Sequence, residues 1–219
     1  MSFKAILFDL DGTLLDTLDD LADSMNMVLA ARGYEQHTVE EYRYLVGYGV
    51  PELVRRSLPE HEGDDAGLVD QMSLELREHY SKRWAQKTRP YPGVLEMLAR
   101  IEAMGIEKSV FSNKPDEFTK MTVRHFLGKF DFSVVLGIKD GIPPKPNPKG
   151  ALYVASLMGI EPGEFLYLGD TGTDMQTARE AGMYPAGVLW GFRDRDELER
   201  NKARSLLGSP SDLFDLNLL

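Results

Sequence analysis

Cysteine is absent from the 219 residues. That excludes disulfides, thiol nucleophiles and cysteine-ligated zinc or iron–sulfur centres, and it suits a reducing compartment, with the cytoplasm as the expected location. Also missing is any run of about 18 consecutive apolar residues, so no membrane association is expected. The opening Met-Ser-Phe-Lys-Ala-Ile-Leu-Phe-Asp is too short, and acidic too early, for a signal peptide. Cations are scarce: 25 Lys plus Arg face 35 Asp plus Glu, a formal charge of -10. A field of that sign is wrong for tracking a phosphate backbone, and nucleic acid is not an expected partner. It also repels small anions, so a phosphate-handling site would need local cations and a metal to invert the sign nearby. The four His residues follow no metal-ligand spacing, and there is no internal repeat or low-complexity run.

A mostly apolar block from Ala5 to Leu10 ends in Asp9-Leu10-Asp11-Gly12-Thr13, as a buried parallel strand running into a turn would. Similar blocks recur at Lys108 to Phe111, Val134 to Leu136, Phe165 to Leu168 and Ala186 to Trp190. Helical patterns separate most of them. One carries Val94, Leu95, Leu98, Ile101 and Met104 and stops at Gly105; another begins near Asp174 and stops at Gly182. Strands alternating with helices predict an α/β fold built on a doubly wound parallel sheet. Residues 15–87 break the pattern and predict an inserted, all-helical cap, leaving 1–14 and 88–219 as the α/β core. Within the insertion, Leu18, Leu21, Ala22, Met25, Val28 and Leu29 keep helical spacing, with Asp16 or Thr17 placed to cap the start, and Leu68, Met72, Leu76 and Tyr80 repeat every fourth residue. Arg89-Pro90-Tyr91-Pro92-Gly93 is expected to be a stiff return linker, forming a two-strand connection with the turn at Thr13 to Leu15. The tail from Arg193 to Leu219 suggests little beyond an amphipathic finish.

Open parallel sheets bind ligands at the carboxyl ends of their strands. Asp9 and Asp11 follow the first block, Ser112 and Asn113 the second. A loop after the third delivers Lys145 between two prolines, and Asp170 and Asp174 follow the fourth. Singly, each has a bland account: Asp-Gly is usually a turn, Asp170-Thr171 could cap a helix, and Lys145 could be a solvated loop charge. Position at the ends of several strands tips the balance. Carboxylates gathered there repel one another, and hard oxygen ligands favour magnesium as the compensating cation.

This set, in order and spacing, resembles the haloacid dehalogenase superfamily over nearly the whole chain. Asp9, Asp11 and Thr13 match its Asp-x-Asp-x-Thr motif, Ser112 its Ser or Thr, Lys145 its Lys, and Gly169, Asp170 and Asp174 its Gly-Asp-x-x-x-Asp. The resemblance implies a Rossmann-like core with an inserted helical cap and a magnesium-dependent phosphatase working through an aspartyl-phosphate on Asp9. Asp11 would be general acid and base. The metal would take Asp9, the backbone carbonyl of Asp11, Asp170, and Asp174 directly or through water. Ser112 and the amides of Gly12 and Asn113 would hold phosphate oxygens, and Lys145 would neutralise nucleophile and phosphate. An acidic Asp11 argues against haloacid hydrolysis. The absence of Lys from Leu15 to Arg77 argues against phosphonatases, which need a lysine in the cap. Val46-Gly47-Tyr48-Gly49 and Arg55-Arg56 resemble the cap segment of phosphoglycolate phosphatases, although a helix-start loop and a solvated basic pair would look the same. The implied substrate is a small phosphorylated metabolite, phosphoglycolate being favoured. A β-phosphoglucomutase-like phosphomutase, a small pyrophosphatase and a receiver-like phospho-acceptor domain are the alternatives; the last is usually about 120 residues long and lacks a cap. Monomer and homodimer are both open.

Overall fold

The computed structural model describes residues 3–216. In chain order it contains β1 (Ala5–Phe8), β2 (Leu15–Asp16), α1 (Leu18–Ala31), α2 (Val39–Leu45), α3 (Val50–Ser57), α4 (Glu60–Gly63), α5 (Ala66–Arg83) and β3 (Arg89–Pro90). There follow α6 (Val94–Ala103), β4 (Glu107–Pro115), α7 (Asp116–Leu127), β5 (Val134–Ile138), α8 (Lys149–Met158), β6 (Phe165–Gly169), α9 (Gly172–Glu180), β7 (Tyr184–Val188), α10 (Arg195–Arg200) and β8 (Ser205–Leu207). The chain divides into two units, residues 1–15 with 90–219 and residues 16–89. Among the described residues no helix is long and apolar enough to cross a membrane.

The first unit is built on a six-stranded sheet ordered β5-β4-β1-β6-β7-β8, with every pairing parallel. From β1 the chain winds outward one way through β4 and β5, then returns to β6 and winds the other way. The reversal sits between β1 and β6, where a crevice forms at the carboxyl ends of a doubly wound sheet. Strand alternation explains why Ala5-Ile6-Leu7-Phe8 is apolar throughout. Ile6 and Phe8 join a core with Val94, Leu98 and Ile101 of α6, whereas Ala5 and Leu7 join a second core with Ala151 and Val154 of α8.

Differences from the sequence expectation lie at element ends. β4 runs on to Pro115, with a register shift between Phe111 and Pro115, so Ser112 and Asn113 lie inside the irregular end of a strand. α9 starts at Gly172 because Thr171 and Asp174 form a reciprocal capping box. β7 ends at Val188, which leaves Trp190 to donate through Nε1 to the Thr13 carbonyl at 2.9 Å. The segment expected to be a mere amphipathic finish holds α10 and the edge strand β8; three residues, Ser-Leu-Leu, are too few to show a period. Residues 217–219 lie outside the described part.

The second unit is helical, and α1 packs on α5. Ala22, Met25, Val28 and Leu29 are buried from one side, Met72, Leu76 and Tyr80 from the other; Val69 is buried where Leu68 is only half-buried. Thr17 stands at the N-cap of α1, yet its hydroxyl caps nothing. β2 and β3 pair as the two-stranded connection. Asp20, fully buried, fastens the end of the unit: its carboxylate accepts from Lys87 N at 3.0 Å, Thr88 N at 2.9 Å and Thr88 Oγ1 at 2.8 Å. Asp20→Ala strands these donors, and urea unfolding is expected to show a loss of about 1–3 kcal/mol, the cost of leaving buried polar groups unpaired.

Candidate active site

Fully buried β1 delivers Asp9 to the crevice, and the turn after it is tightly wound: Leu14 N and Leu15 N both donate to Leu10 O at 3.0 Å. Gly12 has φ +87°, and a Cβ there would collide with the Asp170 carboxylate, so glycine allows motif and carboxylate to approach. Its amide donates to Leu15 O at 2.9 Å. That bond closes the turn, so the amide would have to share or release it to hold a phosphate oxygen.

Three carboxylates from two strand ends meet. One oxygen each from Asp9, Asp170 and Asp174 lies within 4.8 Å of the others, and all three residues are buried. Lys145 sits among them, its Nζ 2.9 Å from Asp9 Oδ1 and 2.6 Å from Asp174 Oδ1. Asn113 fixes the loop that carries it, accepting from Lys145 N at 2.7 Å and donating to Lys145 O at 3.2 Å. Asp170 accepts from Thr13 Oγ1 at 3.2 Å and Phe192 N at 2.8 Å. Asp174 is occupied on both oxygens, Oδ1 by Lys145 and Tyr167 OH, Oδ2 by Thr171 N and Oγ1. It anchors the lysine and caps α9, so direct metal ligation by Asp174 would have to break those bonds. Ser112, buried at the end of β4, accepts through Oγ from Lys114 N at 3.2 Å.

Asp11 lies apart from the three-carboxylate group, and Lys114 Nζ stands 2.7 Å from its Oδ1. Sequence reasoning missed Lys114, Tyr167 and the buried Arg193, which pairs with Glu197 at 3.2 Å. The Ser-Asn-Lys run at a strand end was the only signal for the first. Gly47, Tyr48, Gly49 and Arg56 belong to the helical unit. Gly47 and Gly49 have φ of +104° and +91°, and Arg56 lies over the Tyr48 ring at 3.8 Å while its Nε meets Glu52 at 2.8 Å.

Burial, then repulsion from Asp174, pushes the Asp9 carboxyl well above its ordinary range, and Lys145 only partly opposes this. The same two causes push Asp170 up to about 7. On Lys145 burial works against the charge, but Asp174 and Asp9 outweigh it and hold the ammonium above its usual range. Burial likewise lifts the Tyr167 hydroxyl. Three buried carboxylates facing one ammonium are short of positive charge, and the hard oxygens of Asp9, Asp170 and Asp174 are a donor set that could hold a small divalent cation.

Folding raises the proton affinity of Asp9 and Asp170, so the folded state holds more protons than the unfolded between pH about 4 and 7, and this contribution fades as pH rises through that window. Metal-free protein is expected to melt lower at pH 8 than at pH 6. At pH 8 Mg2+ at a hundred times its dissociation constant should add about 2.7 kcal/mol. Asp170→Asn should flatten both dependences in a melting series with chelator and with metal.

The profile of the haloacid dehalogenase-like hydrolases matches residues 6–188. A phosphoglycolate phosphatase of Pseudomonas savastanoi pv. phaseolicola is 35% identical over 205 residues, covering 91% of this chain and 75% of that protein. One from Nitrosospira multiformis is 36% identical over 205 residues, covering 91% and 89%. A crystal structure from Lactobacillus delbrueckii subsp. bulgaricus, provisionally described as a phosphoglycolate phosphatase, superposes with a TM-score of 0.91 at 30% identity, covering 100% of this chain and 99% of that one. CbbY from Rhodobacter sphaeroides, solved with phosphate, gives 0.81 at 25% identity over 96% of each chain. With Asp9, Lys145 and Asp170 gathered at the reversal of the sheet and a match across most of its length, the chain belongs to the haloacid dehalogenase-like hydrolase family as a phosphoglycolate phosphatase-like enzyme.

Proposed function

We propose that this enzyme is a magnesium-dependent phosphatase that hydrolyses a small phosphomonoester, with phosphoglycolate the favoured substrate, through a phosphorylated Asp9. The observation that carries the reading is the buried cluster of Asp9, Asp170 and Asp174 with Lys145 Nζ 2.9 Å from the nucleophile. Asp9 would attack phosphorus as the P–O bond to the alcohol breaks, and Asp11 would give that oxygen its proton. Water would then attack the acyl phosphate, returning a proton to Asp11 and freeing Asp9 and inorganic phosphate. Lys145 would balance charge on the nucleophile and the transferred group, with Ser112 and the Asn113 amide supporting the phosphate oxygens. Bound by Asp9, Asp170 and the Asp11 carbonyl, Mg2+ would supply Lewis-acid withdrawal of charge from the phosphoryl group.

Residues 15–87 would act as the cap, where Gly47, Tyr48, Gly49 and Arg56 are the proposed contacts for the rest of the substrate. Arg56 would offer a forked guanidinium to a carboxylate, a role favoured by the relatives called phosphoglycolate phosphatases. The test is phosphate release from a panel of phosphomonoesters at matched concentration, with Mg2+ or with chelator. Metal-dependent release, highest for phosphoglycolate, is expected. Isomerised sugar phosphate without free phosphate would replace the hydrolase with a mutase; equal rates in chelator would end the metal reading.

A further inference from the structure

Lys114 belongs to none of the motifs that mark the catalytic centre, yet it is built into that centre. Its side chain is 4% exposed, and a lysine is seldom so enclosed without an anionic partner. Its amide donates to Ser112 Oγ at 3.2 Å and its carbonyl accepts from Thr119 Oγ1 at 3.2 Å, so the backbone that launches the side chain is tied on both sides. Nζ then meets Asp11 Oδ1 at 2.7 Å. The two aspartates of the first turn are thereby sorted between two lysines: Asp9 pairs with Lys145 from the loop after β5, Asp11 with Lys114 from the end of β4. Sorting matters because Asp11, only two residues from Asp9, would otherwise be drawn to the cation that the three clustered carboxylates attract.

We infer that Lys114 is a positioning residue that holds the Asp11 carboxylate outside the metal-binding group, in the one orientation from which it exchanges a proton with the leaving oxygen and with the attacking water. This rests on the proposed phosphatase reading. In the first step the Asp9–phosphorus bond forms, the phosphorus–alcohol bond breaks, and the proton passes from Asp11 to the alcohol. In the second, a water proton returns to Asp11 as the Asp9–phosphorus bond breaks.

The test compares Lys114→Met and Lys114→Arg with the wild type on two esters: p-nitrophenyl phosphate, whose phenolate leaves without a proton, and the best alkyl phosphate of the panel. Without its lysine Asp11 is expected to serve poorly in both steps. For Lys114→Met, kcat/KM on the alkyl ester should fall on the order of 100-fold, the scale of a general acid contribution. On the nitrophenyl ester phosphorylation should survive while hydrolysis of the acyl phosphate slows, giving a burst of nitrophenolate equal to the sites present. Lys114→Arg should recover most of the alkyl activity. Equal losses on both esters with no burst, in a variant of wild-type circular dichroism, would overturn the inference and leave Lys114 a structural residue. If the methionine variant does not fold, Lys114→Gln is read by the same criteria. Acid-quench trapping on the wild type separates the levels: no phosphorylated Asp9 there overturns the phosphatase reading and this one together, whereas trapped phosphoenzyme with equal losses in Lys114→Met overturns this one alone.

Discussion

Asp9→Asn is expected to reduce phosphate release on the order of 10⁴-fold or more, the scale on which removing a nucleophile acts in enzymes that form covalent intermediates. The substitution is nearly isosteric, so the fold should survive. Lys145 keeps its 2.6 Å partner Asp174 and stays in place. What is lost is the oxygen nucleophile. The same change removes one of three buried carboxylates whose charge is opposed by burial and by Asp174 and Asp170. Metal-free Asp9→Asn should therefore melt higher than metal-free wild type at pH 8, a gain of stability coupled to loss of function. Steady-state assay, trapping of labelled phosphoenzyme and a melting curve at pH 8 check all three parts. Activity within about tenfold of wild type would refute the assignment of the nucleophile.

Lys145→Met should affect stability most. Breaking a buried ion pair by removing one partner leaves uncompensated charge, typically at a cost of about 3–5 kcal/mol. Here one ammonium serves both Asp9 and Asp174, and the side chain is 2% exposed. The loss should be largest above pH 7, where the carboxylates would have to be ionised without their cation, and should shrink toward pH 5 as they take up protons instead. Mg2+ should recover part of the stability but not the turnover, since the charge that balances nucleophile and transferred phosphoryl group is absent. Urea unfolding at pH 5 and pH 8 distinguishes this from simple loss of packing, which carries no pH slope.

Much of this was legible beforehand because the fold obeys local rules. Apolar blocks alternating with helical patterns point to parallel strands, and the residues just beyond them fall at one edge of the sheet, so Asp9, Lys145 and Asp170 could be placed together from order alone. Pairing among neighbours could not. A Lys inside Ser-Asn-Lys-Pro looks solvated until the fold brings its Nζ to Asp11. Asp174 reads as a metal ligand, direct or through water, and only the fold shows that Lys145 and Thr171 also engage its oxygens. That the Gly12 amide also closes a turn on Leu15 shows only in the fold. β8 escaped because three residues at a sheet edge carry no periodicity and owe their strand conformation to β7 alone. In each case the deciding contact joins residues whose chain separation sequence patterns do not span.

The central place of β1 has a consequence for biosynthesis. Ala5 pairs with Glu107 on one side and Phe165 on the other, so during synthesis β1 has both hydrogen-bonding edges open until β4 is made and one of them open until β6 follows. Through that interval Ala-Ile-Leu-Phe is an unguarded sticky segment, a hazard that non-local pairing imposes on a nascent chain. Chains truncated just before Phe165 should be insoluble even though every residue of the helical insertion is present.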